Sequence, residues 1–130
     1  MKTYAIRLKP GEDLKMRLDE VAANWSAACI LTAVGSLTTV SIRYANCDAV
    51  EELNGHFEIV SLVGTLGSCG SHLHLSISDR EGHTIGGHLK EGSTIYTTAE
   101  IVIGILDEWT FSREPDATTG YPELVIKANR

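Results

Sequence analysis

The sequence predicts an α+β fold: a largely antiparallel sheet packed by one main N-terminal helix and short helical segments, in a single domain over residues 1–130. Three observations predict it. The segment from Glu12 to Trp25 carries the best-defined run of apolar residues at helical spacing. Almost everything after it falls into alternating or β-branched runs separated by Gly-, Asn- and Pro-bearing turns. No internal repeat, low-complexity tract or interdomain linker interrupts the 130 residues, a length that suits one domain with a real hydrophobic core.

Taken in order, Tyr4 to Lys9 alternates as a first strand and Pro10-Gly11 ends it. Leu14, Leu18, Val21 and Trp25 then recur at intervals of four, three and four, which sets them on one stripe of an amphipathic helix. Glu12 and Asp13 fall in its first turn, where acidic side chains complement the helix dipole. Lys15, Arg17, Asp19 and Glu20 cover its wet face. Ala28 to Val34 reads as a short buried strand and Gly35-Ser36 as a bend; Leu37 to Tyr44, rich in Thr, Val and Ile, reads as another strand.

Asn46 to Asn54 is polar and acidic, as a surface connection would be, and Asn54-Gly55 is a turn dipeptide. His56 to Leu66 is a long strand with apolar residues on both faces, broken by Gly67 to Gly70. Lys90 to Ser93 is a turn, and Ile95 to Leu106, the most apolar segment, reads as a central strand covered on both faces. Glu108 to Arg113 continues the strand pattern, Arg113 to Tyr121 reads as an exposed loop, and Pro122 to Lys127 as a short final strand.

The stretch from Ser71 to Leu89 holds four of the five histidines. Alternation sets Leu73, Leu75 and Ile77 on one face of a strand and His72, His74, Ser76 and Ser78 on the other. Asp79-Arg-Glu-Gly82 suits a type I turn followed by a left-handed glycine. With Asp79 opposite His83, the register sets Ile77 opposite Ile85 and His74 opposite His88. A one-residue slip would put Ile85 and Leu89 on the histidine face. His72, His74 and His88 therefore share one side, and His83 lies on the other, near the turn. Three imidazoles with an open fourth position suit zinc. Gly86 and Gly87 either leave space above the sheet or mark a bulge or a close approach by a helix.

A net charge of −6 is a poor start for binding phosphate backbones. Cys29, Cys47 and Cys69 are an odd number without framework spacing, so reduced thiols are expected. With no apolar run long enough for a membrane span and no signal-peptide core, the expected location is cytoplasmic. Phosphate-binding, dinucleotide-binding, Gly-x-Ser-x-Gly and Cys-x-x-Cys motifs are all missing.

At Gly55-His-Phe-Glu-Ile-Val-Ser-Leu62, His72-Leu-His74 and Gly86-Gly-His-Leu89 the sequence resembles the PPC domain, also catalogued as DUF296, the plants and prokaryotes conserved domain. Arg7 with Pro10-Gly11-Glu12, and Ala33-Val-Gly-Ser36, match as well, so the likeness runs from about Tyr4 to about Lys127. The resemblance implies an antiparallel sheet packed by helices, assembly as a homotrimer, and a zinc site at His72, His74 and His88. Its plant members join the domain to AT hooks in nuclear DNA-binding proteins, which makes a DNA-associated regulator the alternative. An AT hook needs an Arg-Gly-Arg core, and no Arg-Gly-Arg occurs here. A stand-alone prokaryotic type without the hook is therefore expected.

The remaining residues rank below the three histidines as site candidates. His56 starts a strand, and His83 faces solvent. Cys69 stands three residues before His72 and could complete a Cys-x-x-His set, or be a buried structural thiol. Glu100, alone in the most apolar strand, is a general base or a carboxylate at a sheet edge or subunit contact. Arg7 and Arg43 are anion binders near the site or ordinary surface arginines. Trp25 belongs to the helix's core stripe. The functions expected are a homotrimer with one histidine-bound metal per subunit, a DNA-associated regulator, or a trimeric protein-interaction module with a structural metal. Water on the open coordination position would allow hydrolytic chemistry, although no general base is evident beside it.

Overall fold

In the computed structural model, which describes residues 1–130, the helical period produces the only helix, α1 (Leu14–Ala22). Asp13 caps it, accepting the Met16 N–H at 3.0 Å, and accepts the Gly92 N–H at 2.7 Å with its other oxygen. One carboxylate thus stops the helix from fraying and ties its start to a distant turn. Glu12 precedes the helix, bonding the Lys9 N–H and the Arg17 guanidinium. Leu14, Leu18 and Ala22 are buried, and α1 packs on the sheet through β3 and β4.

The strands are β1 (Lys2–Leu8), β2 (Ala28–Arg43), β3 (Glu51–Gly67), β4 (Gly70–Ser78), β5 (Thr84–Leu89), β6 (Thr94–Ile105), β7 (Trp109–Pro115) and β8 (Pro122–Ala128). Six form one antiparallel sheet in the order β1-β6-β2-β3-β4-β5. β5 also pairs back on β2, with Ile42 opposite Leu89 and Arg43 opposite His88. Strands β2 to β5 therefore close on themselves. Closure needs a bent β2, and its ladder with β6 shifts between Ile30 and Thr32, Gly35 and Leu37, and Leu37 and Thr39. Leu8, Leu37, Leu73, Leu75, Ile77, Leu89, Ile95, Ile101 and Ile103 fill the interior with the helix stripe.

Several expectations change in detail. Gly35-Ser36 does not separate two strands, because β2 runs through it. A Cβ at Gly35 would lie 2.2 Å from the Thr98 carbonyl oxygen, so the glycine serves close strand approach. Asn54-Gly55 is not a turn either: Leu53 and Asn54 pair with Val40 and Thr39, and β3 starts at Glu51. β6 is covered on one face only, with Ile95, Ala99, Ile101 and Ile103 buried and Glu100 exposed on the other side. Trp25 lies beyond the helix end and packs edge-on against Tyr4 at 5.4 Å. The connections are turns rather than short helical segments.

β7 and β8 form a separate two-stranded hairpin, with Pro115 opposite Pro122. The loop expected from Arg113 is thus shorter, since strand pairing holds Arg113 and Glu114. The hairpin is clipped to the segment after α1: the Phe111 N–H donates to the Ser26 carbonyl and the Ser26 hydroxyl to the Trp109 carbonyl. Phe111 is buried.

Candidate metal centre

The histidine hairpin has the register its sequence dictates. Ile77 pairs with Ile85 and His74 with His88, while Leu73, Leu75 and Ile77 are buried. The turn is held by Asp79, which accepts the Glu81 and His83 N–H groups, and Gly82 takes the left-handed φ of 82°. His83 is exposed beside it, 3.4 Å from Asp79, apart from the other histidines.

His72, His74 and His88 come together on the face turned away from the core. One ring nitrogen from each lies within 4.8 Å of the others. The His72 and His88 rings are nearly parallel, with centroids 5.5 Å apart. His74 stands perpendicular to both, at 5.2 and 4.6 Å. Tetrahedral zinc holds its nitrogens about 3.3 Å apart, so small side-chain rotations bring this donor set to a single ion. No carboxylate or thiol completes the group.

The electrostatics favour neutral rings. The pKa of His72 is pushed below the ordinary histidine value by loss of water around the ring, then by His74, Arg113 and Lys90, with Glu123 opposing. That of His88 is lowered by the same desolvation, then by Arg43, the other two histidines and Lys90. A neutral imidazole is the form that ligates a metal.

Backbone proximity explains the paired glycines. A Cβ at Gly86 would meet the Leu75 carbonyl oxygen at 2.9 Å, and one at Gly87 the Arg43 carbonyl oxygen at 2.6 Å. The close approach comes from strands β4 and β2 rather than from a helix. Gly87 in particular lets β5 reach β2, which brings Arg43 opposite His88.

The other candidates separate cleanly. Cys69 is half-exposed in the β3–β4 turn, so it is not a buried thiol, and it stays outside the ligand group. His56 stacks on Tyr96 at 4.1 Å, away from the cluster. Arg7, on edge strand β1, donates to Thr98 and Thr97, and Glu100 accepts from the Thr98 hydroxyl on an exposed part of the sheet. Arg43 does reach the site.

Sequence reasoning missed the cleft beside the histidines. It measures ≈ 650 Å³ and is lined by His72 and His88 together with Lys15, Arg43, Lys90, Arg113, Tyr121 and Glu123. Nothing local in the sequence links Arg113 or Glu123 to His72; the β7–β8 hairpin brings them there.

Comparison with known proteins matches this chain and its fold to relatives. Bifunctional protein GlmU of Synechococcus sp. (strain JA-2-3B'a(2-13)) is 46% identical over 129 residues, covering 98% of this chain but only 20% of that protein. The chain thus spans about a fifth of the length of this curated relative. AT-hook motif nuclear-localized protein 13 of Arabidopsis thaliana is 27% identical over 113 residues, 78% of this chain and 26% of that one. A hypothetical protein from Salmonella enterica has a solved structure with a TM-score of 0.96 and 45% identity, covering 99% of this chain and 95% of that chain. A metal-containing protein from Archaeoglobus fulgidus has a TM-score of 0.79 at 25% identity, covering 96% and 94%. The model of the Plants and Prokaryotes Conserved (PCC) domain matches residues 1–107, and the chain belongs to that family.

Proposed function

We propose that the chain is a homotrimeric zinc-binding protein whose ion is held by His72, His74 and His88. The observation that carries this is the convergence of three imidazoles, with no competing role for any of them, on one exposed sheet face. Nitrogen donors of this kind suit zinc, and three ligands leave a fourth position open. Bound there, zinc supplies a Lewis acid for water or a small ligand. The metal-containing Archaeoglobus relative supports a metal in this fold.

Assembly is supported by the same face of the sheet. Val63, 54% exposed, lies directly across from His74, and Val34, 59% exposed, stands across from Glu100 on the same face. Leu31 and Val60 add further exposed apolar surface at the bulges. Burial of these side chains against a second copy would remove apolar surface from water, which supports the trimer reading. The free thiols Cys29, Cys47 and Cys69 suit a reducing, cytoplasmic setting.

Elemental analysis of protein purified without a histidine tag tests the metal. About one zinc per subunit is expected, and less than a tenth of an equivalent with no uptake on adding zinc defeats the proposal. Sedimentation equilibrium tests the assembly, with a particle of three times the 14.1 kDa chain mass expected. A monomer at micromolar concentration removes the trimer.

Similarity to the Arabidopsis AT-hook protein favours DNA as a second reading. It predicts binding to A·T-rich duplex that weakens steeply with salt. The acidic balance, 17 carboxylates against 11 Lys and Arg, opposes it, and no binding in low salt excludes it.

A further inference from the structure

The cleft beside the histidines carries a charge pattern that metal ligation alone does not require. Lys15, Arg43, Lys90 and Arg113 line it against one carboxylate, Glu123. This occurs in a chain where acids outnumber Lys and Arg by 17 to 11. Lys15 is matched by Asp19 at 2.8 Å, but none of the protein's ion pairs uses Arg43, Lys90 or Arg113. Arg43 spends one donor on the Cys47 carbonyl at 2.9 Å and keeps the rest of its fork.

These three cations come from the end of β2, the turn after β5 and the middle of β7. The β2–β5 closure and the β7–β8 hairpin bring them to one cleft. Gathering like charges raises the local potential and costs repulsion, which a bound anion relieves. Guanidinium groups match the oxygens of carboxylates and phosphates in pairs. The volume, ≈ 650 Å³, is that of a small-molecule site. Arg113 and Glu123 also lie beyond residues 1–107, the part matched by the family model.

We propose that this cleft binds a small molecule bearing a carboxylate or phosphate group, its oxygens held by Arg43, Lys90 and Arg113 beside His72 and His88. Glu123 offers an acceptor for a hydroxyl or ammonium on the same molecule. Oxoanion binding by these side chains does not require the zinc of the preceding section, although a bound ion would add to it.

The test is calorimetric titration of the whole chain, zinc-free and zinc-loaded, with inorganic phosphate and with succinate. At least one anion is expected to bind the zinc-free protein with a Kd near or below about 1 mM. Arg113→Gln and Arg43→Gln should each weaken it about tenfold or more while zinc uptake stays unchanged. Arg80→Gln, on the β4–β5 turn outside this cleft, is the control and should bind within about twofold of the parent. Arg113→Lys keeps the charge and should retain part of the affinity, which separates lost recognition from lost folding. Whichever anion binds more tightly names the class.

The inference is overturned if neither anion binds, or if the Arg→Gln variants bind as the parent does. Binding only in the zinc-loaded form, unchanged by both arginine variants, is coordination by the ion alone and also overturns it. Arginine-dependent binding in a protein that takes up no zinc sustains it while defeating the zinc proposal.

Discussion

His74 and Leu75 are neighbours in sequence on opposite faces of β4, and replacing each by alanine separates the site from the fold. Leu75 is 1% exposed within the core. Truncating such a leucine removes its transfer free energy and leaves a cavity, together about 2–5 kcal/mol. For a chain of 130 residues the unfolding entropy is about 0.27 kcal/mol/K, so Leu75→Ala should lower the melting temperature by roughly 7–18 °C. His74 is exposed, and in EDTA His74→Ala should move it by no more than about 2 °C. Zinc should reverse the contrast. At a free concentration of 100 times its Kd, zinc adds about 2.7 kcal/mol, or roughly 10 °C, to a protein that binds it only when folded. The parent should show that rise and His74→Ala should lose it. Circular dichroism melts of the three proteins, with EDTA and with zinc, give all the numbers. If His74→Ala in EDTA falls as far as Leu75→Ala, the assigned face is wrong; if it keeps the full zinc shift, the ligand role is wrong.

Three further outcomes are expected. With folded-state pKa values of His72 and His88 lowered, the unfolded chain binds more protons as pH falls through the ordinary histidine range. Stability in EDTA is therefore full above about pH 6.5 and declines below it; urea midpoints across pH 5–8 should show this, with a shallower decline in His72→Gln/His88→Gln. Gly87→Ala would force a Cβ to 2.6 Å from the Arg43 carbonyl oxygen, so it should cost about 1–3 kcal/mol in urea unfolding and weaken zinc uptake by parting β5 from β2. Asp13→Ala removes both the helix cap and the Gly92 bond, and should cost about 1–2 kcal/mol by the same measurement while leaving zinc stoichiometry untouched.

The histidine hairpin was legible because each of its determinants is local. Period-two alternation divides His72 and His74 from Leu73 and Leu75, Asp79 to Gly82 suits a type I turn with a left-handed glycine, and a slip would break the apolar face, so the register that brings His88 to His74 follows. The helix was legible for the same reason, although its end was not, since Trp25 keeps the apolar period after the backbone has left the helix. Asn54-Gly55 misled because a ladder partner in β2 outweighs a turn preference. β6 misled because Thr97, Thr98 and Val102 keep its run β-branched on both faces, although only the face with Ile95, Ala99, Ile101 and Ile103 is buried.

The sequence alone therefore determined the fold class, the helix, the hairpin register and the division of the histidines into three that meet and others that do not. Periodicity and turn chemistry act over a few residues, and so can be read along the chain. Only the tertiary structure decided what surrounds the three. The bulges that bend β2, the closure of β5 on it and the docking of the β7–β8 hairpin bring Arg43, Lys90 and Arg113 to His72 and His88. Those contacts join segments far apart in sequence, and their geometry depends on how the whole sheet curves rather than on any local pattern.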